Sequence, residues 1–103
     1  MNEAQKKVQL FCKKNNLSSS VEHRVLDVVS ELGELSKEIL KTCNYGKSRF
    51  AANEKVKLEF GDVLFSLITV ANSLDVNLDA ALEAVLKKYE KRIEKGLTPD
   101  SDN

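Results

Sequence analysis

Two pairs of carboxylates stand three residues apart in this chain, Glu31 with Glu34 and Glu59 with Asp62. On a helix that spacing puts both members of a pair on one face. Each acid immediately precedes an apolar residue, Leu32 and Leu35 in the first pair, Phe60 and Val63 in the second. The pairs therefore flank an apolar stripe, and if the two stripes pack together all four acids point into one cleft. Carboxylates gathered in that way repel one another unless some are protonated or a hard cation sits among them. A site with oxygen ligands alone favours Mg²⁺, Mn²⁺ or Ca²⁺ over zinc or copper. Gly33 and Gly61 lie inside the two four-residue units. Glycine costs a helix interior about 1 kcal/mol, and close approach of the two backbones is one reason to keep it.

The elements that must position these acids are helices. A first runs from about Asn2 to Lys14, with Val8, Phe11 and Cys12 inward and Asn15-Asn16 as its stop. Ser19 with Glu22 fits a capping box that opens a second helix. There Val21, Val25, Val28, Leu32, Leu35 and Ile39 recur at alternating steps of four and three, and the helix fades near Thr42. Asn53 is the predicted N-cap of a third helix reaching about Leu74, in which Val56, Phe60, Val63, Leu67, Val70 and Leu74 repeat the same spacing. Two seams of equal length and phase can face each other as an antiparallel pair. Asn77 caps a fourth helix carrying Leu78, Leu82, Val85, Tyr89 and Ile93 and ending at Gly96. The expected fold is all-α: a bundle of about four helices whose two long central members carry the metal site. Residues 1–96 form one domain, followed by a frayed tail over 97–103.

The motifs are familiar. Ser30-Glu31-Leu32-Gly33-Glu34-Leu35 and Leu58-Glu59-Phe60-Gly61-Asp62-Val63-Leu64-Phe65 resemble the ExxE…ExxD signature of the MazG-type, all-α nucleoside triphosphate pyrophosphohydrolases. The stretch Leu67 to Leu74 and the helix from Leu82 to Arg92 are similar to the parts of that family that follow its second motif. The chain departs from many members in one place, with Ser30-Glu31 where they write a Glu-Glu pair, but Glu31 is the position that matches the ligand. The resemblance implies Glu31, Glu34, Glu59 and Asp62 as metal-binding and catalytic residues, with Mg²⁺ as cofactor and Mn²⁺ as a substitute. It also implies hydrolysis between the α and β phosphates to a nucleoside monophosphate and pyrophosphate, in homodimers or homotetramers.

Other residues are weighed against plainer readings. Lys88 and Arg92, one turn apart around Tyr89, are candidates for the β and γ phosphates or simply a solvated basic face. Asn72 is a candidate for the base or sugar or a satisfied polar group near a helix end. Glu38 continues the stripe Asp27, Glu31, Glu34 and either extends the metal site, helps to bind a second ion, or is a surface acid near Lys37 and Lys41. His23 is the only histidine, which leaves little support for a His-centred metal site or a Ser/His/Asp triad. Tyr45, Lys47, Arg49 and Phe50 share a connection that is either substrate-binding or simply surface loop. Cys12 and Cys43 read as free thiols.

Bulk properties narrow the class. With 42% hydrophobic and 31% charged residues the chain is globular. Its 16 basic and 16 acidic residues cancel, which speaks against a nucleic-acid partner. No apolar run is long enough to span a bilayer and no signal peptide opens the chain, so the cytoplasm is the expected compartment. A chain this short also struggles to enclose a core, which favours self-association. Competing readings are a non-catalytic metal-binding interaction module and a pyrophosphohydrolase of a non-nucleotide phosphoanhydride. A di-iron carboxylate bundle would show Glu-x-x-His pairs, and none is present.

Overall fold

The computed structural model describes residues 1–100 and contains four α-helices: α1 (Glu3–Lys14), α2 (Val21–Thr42), α3 (Glu54–Ser73) and α4 (Leu78–Glu94). Each begins at a side-chain cap. Asn2 and Gln5 form a reciprocal capping box on α1, Asn53 accepts from the Val56 N–H on α3, and Asn77 accepts from Ala80 on α4. The start of α2 differs from the expected Ser19–Glu22 box, because Ser20 is the cap and accepts from the His23 N–H at 3.4 Å. Adjacent serines offer the same chemistry, and the chain uses the one next to the first helical residue. At the far end of α4, Gly96 takes φ +76°, the left-handed conformation expected of a helix-terminating glycine. Beyond it, the Leu97 N–H returns to the Arg92 carbonyl at 2.8 Å and the Arg92 guanidinium meets the Pro99 carbonyl. Residues 101–103 of the expected tail lie outside the described residues.

α2 and α3 make the principal packing contact and α1 lies against α3. The pairing of α2 with α3 is antiparallel: Lys55, at the start of α3, bonds Glu38 late in α2, while Asp62, further on, lies beside Glu31. Only half of each apolar seam enters this contact. Leu35 and Val56 are buried and Val21, Val28, Val63 and Val70 half-buried, all spaced by sevens within their helix. Of the intervening members, Val25 and Leu32 on α2 with Phe60, Leu67 and Leu74 on α3 are exposed, and Ile39 near the end of α2 is half-buried. Arg24, Glu31 and Glu38 fill the interface between the apolar residues of α2, as Glu59 and Ser66 do on α3. The seam is thus turned from the expected orientation, and acids predicted to flank the contact stand inside it.

α4 leaves α3 at a bend of 98° and contributes no buried residue. It packs along none of the other three helices. The radius of gyration is accordingly 16.9 Å, against about 13 Å for a compact domain of 100 residues. One buried side chain ties the corner together. Gln5, fully buried, donates to the Asn72 side chain and to the Val76 carbonyl, and accepts from the N–H groups of Asn2 and Leu78. Among the described residues no single helix is long and apolar enough to cross a membrane.

Candidate metal centre

Because Glu31 falls on the inner face of α2 and Glu59 on that of α3, the antiparallel register brings their carboxylates together, with Asp62 one turn beyond Glu59. Each of the three offers one oxygen within 4.8 Å of the others'. Glu31 and Glu59 are half-buried and Asp62 is exposed at the rim. Two oxygens on one Mg²⁺ lie at most about 4.2 Å apart and on one Ca²⁺ about 5 Å. Three oxygens cannot all be opposite one another, and adjacent ones on Mg²⁺ are only about 3 Å apart, so the side chains would draw inward to share one ion. Burial, and then the charges of Asp62, Glu59, Glu34 and Asp27, hold the Glu31 carboxyl above its usual value of 4.5. No ion pair among the described residues involves any member of the trio. Carboxylate donors alone suit a hard divalent cation.

Glu34 behaves differently from its expected partners. It is exposed and stands outside the three-oxygen group, although its charge acts on Glu31. Glu38, weighed above as a further ligand, is buried and bound to Lys55 at 3.1 Å and Lys41 at 3.7 Å. The Lys55 hydrogen bond chiefly, with both lysine charges, pulls its carboxyl below 4.5 against the opposing effect of burial. Glu38 is thus already neutralised by protein. The glycines need a different account from the one expected. Gly33 and Gly61 are exposed, and a methyl group added to either would meet nothing within 4 Å. Close approach of α2 to α3 does not require them.

The remaining candidates lie elsewhere. Lys88 and Arg92 flank the Tyr89 ring, at 5.5 and 6.0 Å from its centroid. Eleven residues of α3 and ten of α4 separate Asp62 and Lys88 from the corner between those helices, so about 20 Å divides the two groups at 1.5 Å per residue. Asn72 exchanges two hydrogen bonds with Gln5, accepting from its side chain at 3.0 Å and donating to its carbonyl at 3.1 Å. In this chain it joins α3 to α1. His23 projects from an exposed position at the start of α2. Tyr45 and Phe50 are exposed in the connection that opens with Asn44–Gly46, where Asn44, Tyr45 and Gly46 have φ of 47°, 58° and 92°. Three successive left-handed residues reverse the chain sharply, which is why the loop leaves α2 without extending it. Gln5 went unremarked in the sequence. A glutamine three residues after an asparagine is its only signal, and that pattern names a helix cap, not a four-bonded buried hub.

Residues 19–97 match the MazG nucleotide pyrophosphohydrolase domain. The crystal structure of a Bacillus-conserved MazG protein, a nucleotide pyrophosphohydrolase, superposes with a TM-score of 0.70 at 30% identity, covering 84% of this chain and 85% of that one. That of YpjD from Bacillus subtilis, a candidate pyrophosphatase, gives 0.73 at 31% identity over 89% and 94% of the two chains. Among curated sequences, the uncharacterized protein YpjD of Bacillus subtilis (strain 168) is 41% identical over 68 residues. The match takes in 63% of this chain and 60% of YpjD, less than two-thirds of that relative's length.

Proposed function

Because this chain belongs to the MazG nucleotide pyrophosphohydrolase family, we propose that it hydrolyses nucleoside triphosphates between the α and β phosphates. The products are a monophosphate and pyrophosphate, and the role is nucleotide-pool house-cleaning in the cytoplasm. The observation that carries this reading is the convergence of one oxygen each from Glu31, Glu59 and Asp62 within 4.8 Å, on two helices and without a basic partner. Those three hold Mg²⁺, with Mn²⁺ as a substitute. When bound, the cation neutralises triphosphate charge and polarises the phosphorus centre. The trio's position is set by the packing of α2 on α3, at which Glu31 and Glu59 are half-buried. Glu34 stands one turn from Glu31 and outside the trio. Its charge acts on Glu31 more strongly than that of Asp27, the other acid outside the trio, and it is suited to take a proton from the attacking water.

Lys88 and Arg92 are suited in chemistry to the departing pyrophosphate, but α4 carries them away from the acids of its own chain. Their contribution comes from a second copy, in a dimer or tetramer that covers the outer apolar seam. The test of the reaction is hydrolysis in ¹⁸O-labelled water with Mg²⁺ across canonical and modified triphosphates. Label in the monophosphate is the expected result. Orthophosphate as first product, with nucleoside diphosphate accumulating, means attack at the γ phosphate and overturns the assigned bond. Metal binding without turnover of any triphosphate would leave a non-catalytic metal module.

A further inference from the structure

A carboxylate taken out of water needs a partner. Glu38 is buried in the α2–α3 contact, whereas the side chains of the lysines that hold it, Lys55 at 3.1 Å and Lys41 at 3.7 Å, are 64% and 47% exposed. The acid is enclosed and its counter-charges reach in from the edge. Along α2 two rows repeat by sevens, an apolar one of Val21, Val28 and Leu35 and a polar one of Arg24, Glu31 and Glu38. On α3 the apolar row is Val56, Val63 and Val70, beside Lys55, Asp62 and Thr69. With Glu38 against Lys55 and Glu31 beside Asp62, Leu35 stands about level with Val56, Val28 with Val63 and Val21 with Val70. Such rows do not fix their own register, because a slide of one heptad again sets branched apolar residues opposite one another.

We propose that Glu38 and Lys55 lock the register of α2 on α3 and thereby bring the two halves of the acidic centre together. They are positioning residues for that centre. The inference rests on the reading of Glu31, Glu59 and Asp62 as the metal site, and adds what holds three repelling acids in line. One slide competes with the observed register. If α3 moves one heptad toward the loop, Leu35 meets Val63 and Val28 meets Val70, so two of the three apolar layers survive. α3 would then begin about 6 Å beyond the end of α2, a gap that residues 43–53 span easily. Glu31 would leave Glu59 and Asp62 for Thr69, whose hydroxyl donates to the Ser66 carbonyl and carries no charge. The repulsion at the centre would be relieved but for Glu38. In the slid register Glu38 loses Lys55 and takes the place of Glu31 against Glu59 and Asp62. The opposite slide would bring Asn44 level with Thr42 and leave the chain no length to turn in. Buried ion pairs often add little stability over apolar residues of like volume, and fixing register is their best-attested use.

Exchanging the pair for apolar residues separates register from stability. Glu38→Leu with Lys55→Leu fills the same contact, so the melting temperature should be held or raised. Register is read by pulsed electron paramagnetic resonance between spin labels at Glu22→Cys and Lys57→Cys, both exposed positions. The full chain also carries Cys12→Ser and Cys43→Ser, and is diluted with unlabelled protein so that only distances within one chain are seen. With Glu38 and Lys55 intact and no metal, one distance is expected. The double leucine variant should add a population about 10 Å longer, the rise of one heptad. Its Mn²⁺ affinity, titrated without nucleotide, should fall about tenfold or more. Glu38→Lys should make the longer distance the main one, since Lys55 repels a lysine there and Asp62 attracts it after the slide. An unshifted distance in whichever variants fold overturns the lock, whatever the affinity, and so do two distances in the intact chain. A shifted distance with unchanged Mn²⁺ affinity overturns the tie to the metal site. Loss of helix in both variants overturns the proposal as well, because a register lock is dispensable to helix formation. If the intact chain binds no Mn²⁺, the metal-centre reading falls and the positioning role with it, while the distances still decide whether Glu38 and Lys55 hold the register.

Discussion

Glu31 and Glu38 lie seven residues apart on one face of α2, and their surroundings drive their carboxyls in opposite directions. Glu31 is crowded by burial and by four acids, and its value rises above 4.5. Glu38 is held by Lys55 and Lys41 and its value falls below 4.5. A raised carboxyl destabilises the fold at pH above its folded value, and the penalty disappears as pH falls through that value toward 4.5. A depressed one stabilises the fold above 4.5, and that support is lost as pH falls through the lower folded value. In metal-free thermal melts at neutral pH, Glu31→Gln should therefore raise the melting temperature and Glu38→Gln lower it. Both differences should shrink in acid. Equal signs for the two variants would mean that the lysines do not distinguish the two layers. Activity should separate them as well. Glu31→Gln, Glu59→Gln and Asp62→Asn should each cost about a hundredfold or more, since weakening even the support of a metal ligand costs ten- to a hundredfold. Helical content by circular dichroism should be unchanged. Full activity in any two of the three would remove the assigned centre.

At the scale of elements, α1 depends on a polar anchor rather than on apolar area. The Gln5 amide uses both its protons and accepts twice, linking α1 to the end of α3 and the beginning of α4. Gln5→Leu keeps the volume and strands the Val76 carbonyl and the Leu78 N–H. We expect a loss of about 1–3 kcal/mol by chemical denaturation, because these groups are part-buried and a fully buried group left unpaired costs about 1–3 kcal/mol. A loss under 1 kcal/mol would mean water replaces the amide. Gly33 and Gly61 lead to the opposite expectation. Each has open space where a Cβ would stand, so Gly33→Ala or Gly61→Ala should stabilise the metal-free protein by about 1 kcal/mol through helix propensity. If activity drops while stability rises, the space beside the acids is used by substrate or by a neighbouring copy.

For the molecule as a whole, the unresolved business is its surface. Phe60, Leu67 and Leu74 on α3 are 55%, 43% and 58% exposed, Val25 and Leu32 on α2 are exposed with them, and α4 presents Leu82, Leu86 and Ile93. Apolar seams of that length on a short chain call for a second layer of helices. Light scattering at micromolar concentration should give at least a dimer, and a tetramer is compatible with the same seams. Leu32→Glu together with Leu67→Glu should shift the mass toward one chain without loss of helix, whereas a wild-type monomer would contradict the expectation.

Much of this was legible in the chain because it is local. Caps, stops and the spacing of apolar residues act within a few residues of themselves, so the number of helices and nearly all their ends could be read directly, Asn53, Asn77 and Gly96 among the signals. The acidic pairs were equally plain, since an i, i+3 spacing has one meaning on a helix. What sequence spacing left open was the rotation of α2 and α3 about their own axes. A stripe stepping by fours and threes is wide enough for two partners, and which edge meets which helix depends on residues far away in the chain. The tertiary structure chose the edge with Val28, Leu35, Val56 and Val63, and that choice has several consequences. It drew Glu31 and Glu59 inside, left Glu34 outside, delivered Glu38 to Lys55 and bared Phe60 and Leu67. The direction of α4 and the fourfold bonding of Gln5 were decided at the same level, because a helix axis and a buried amide take their partners from through-space neighbours that no local pattern records.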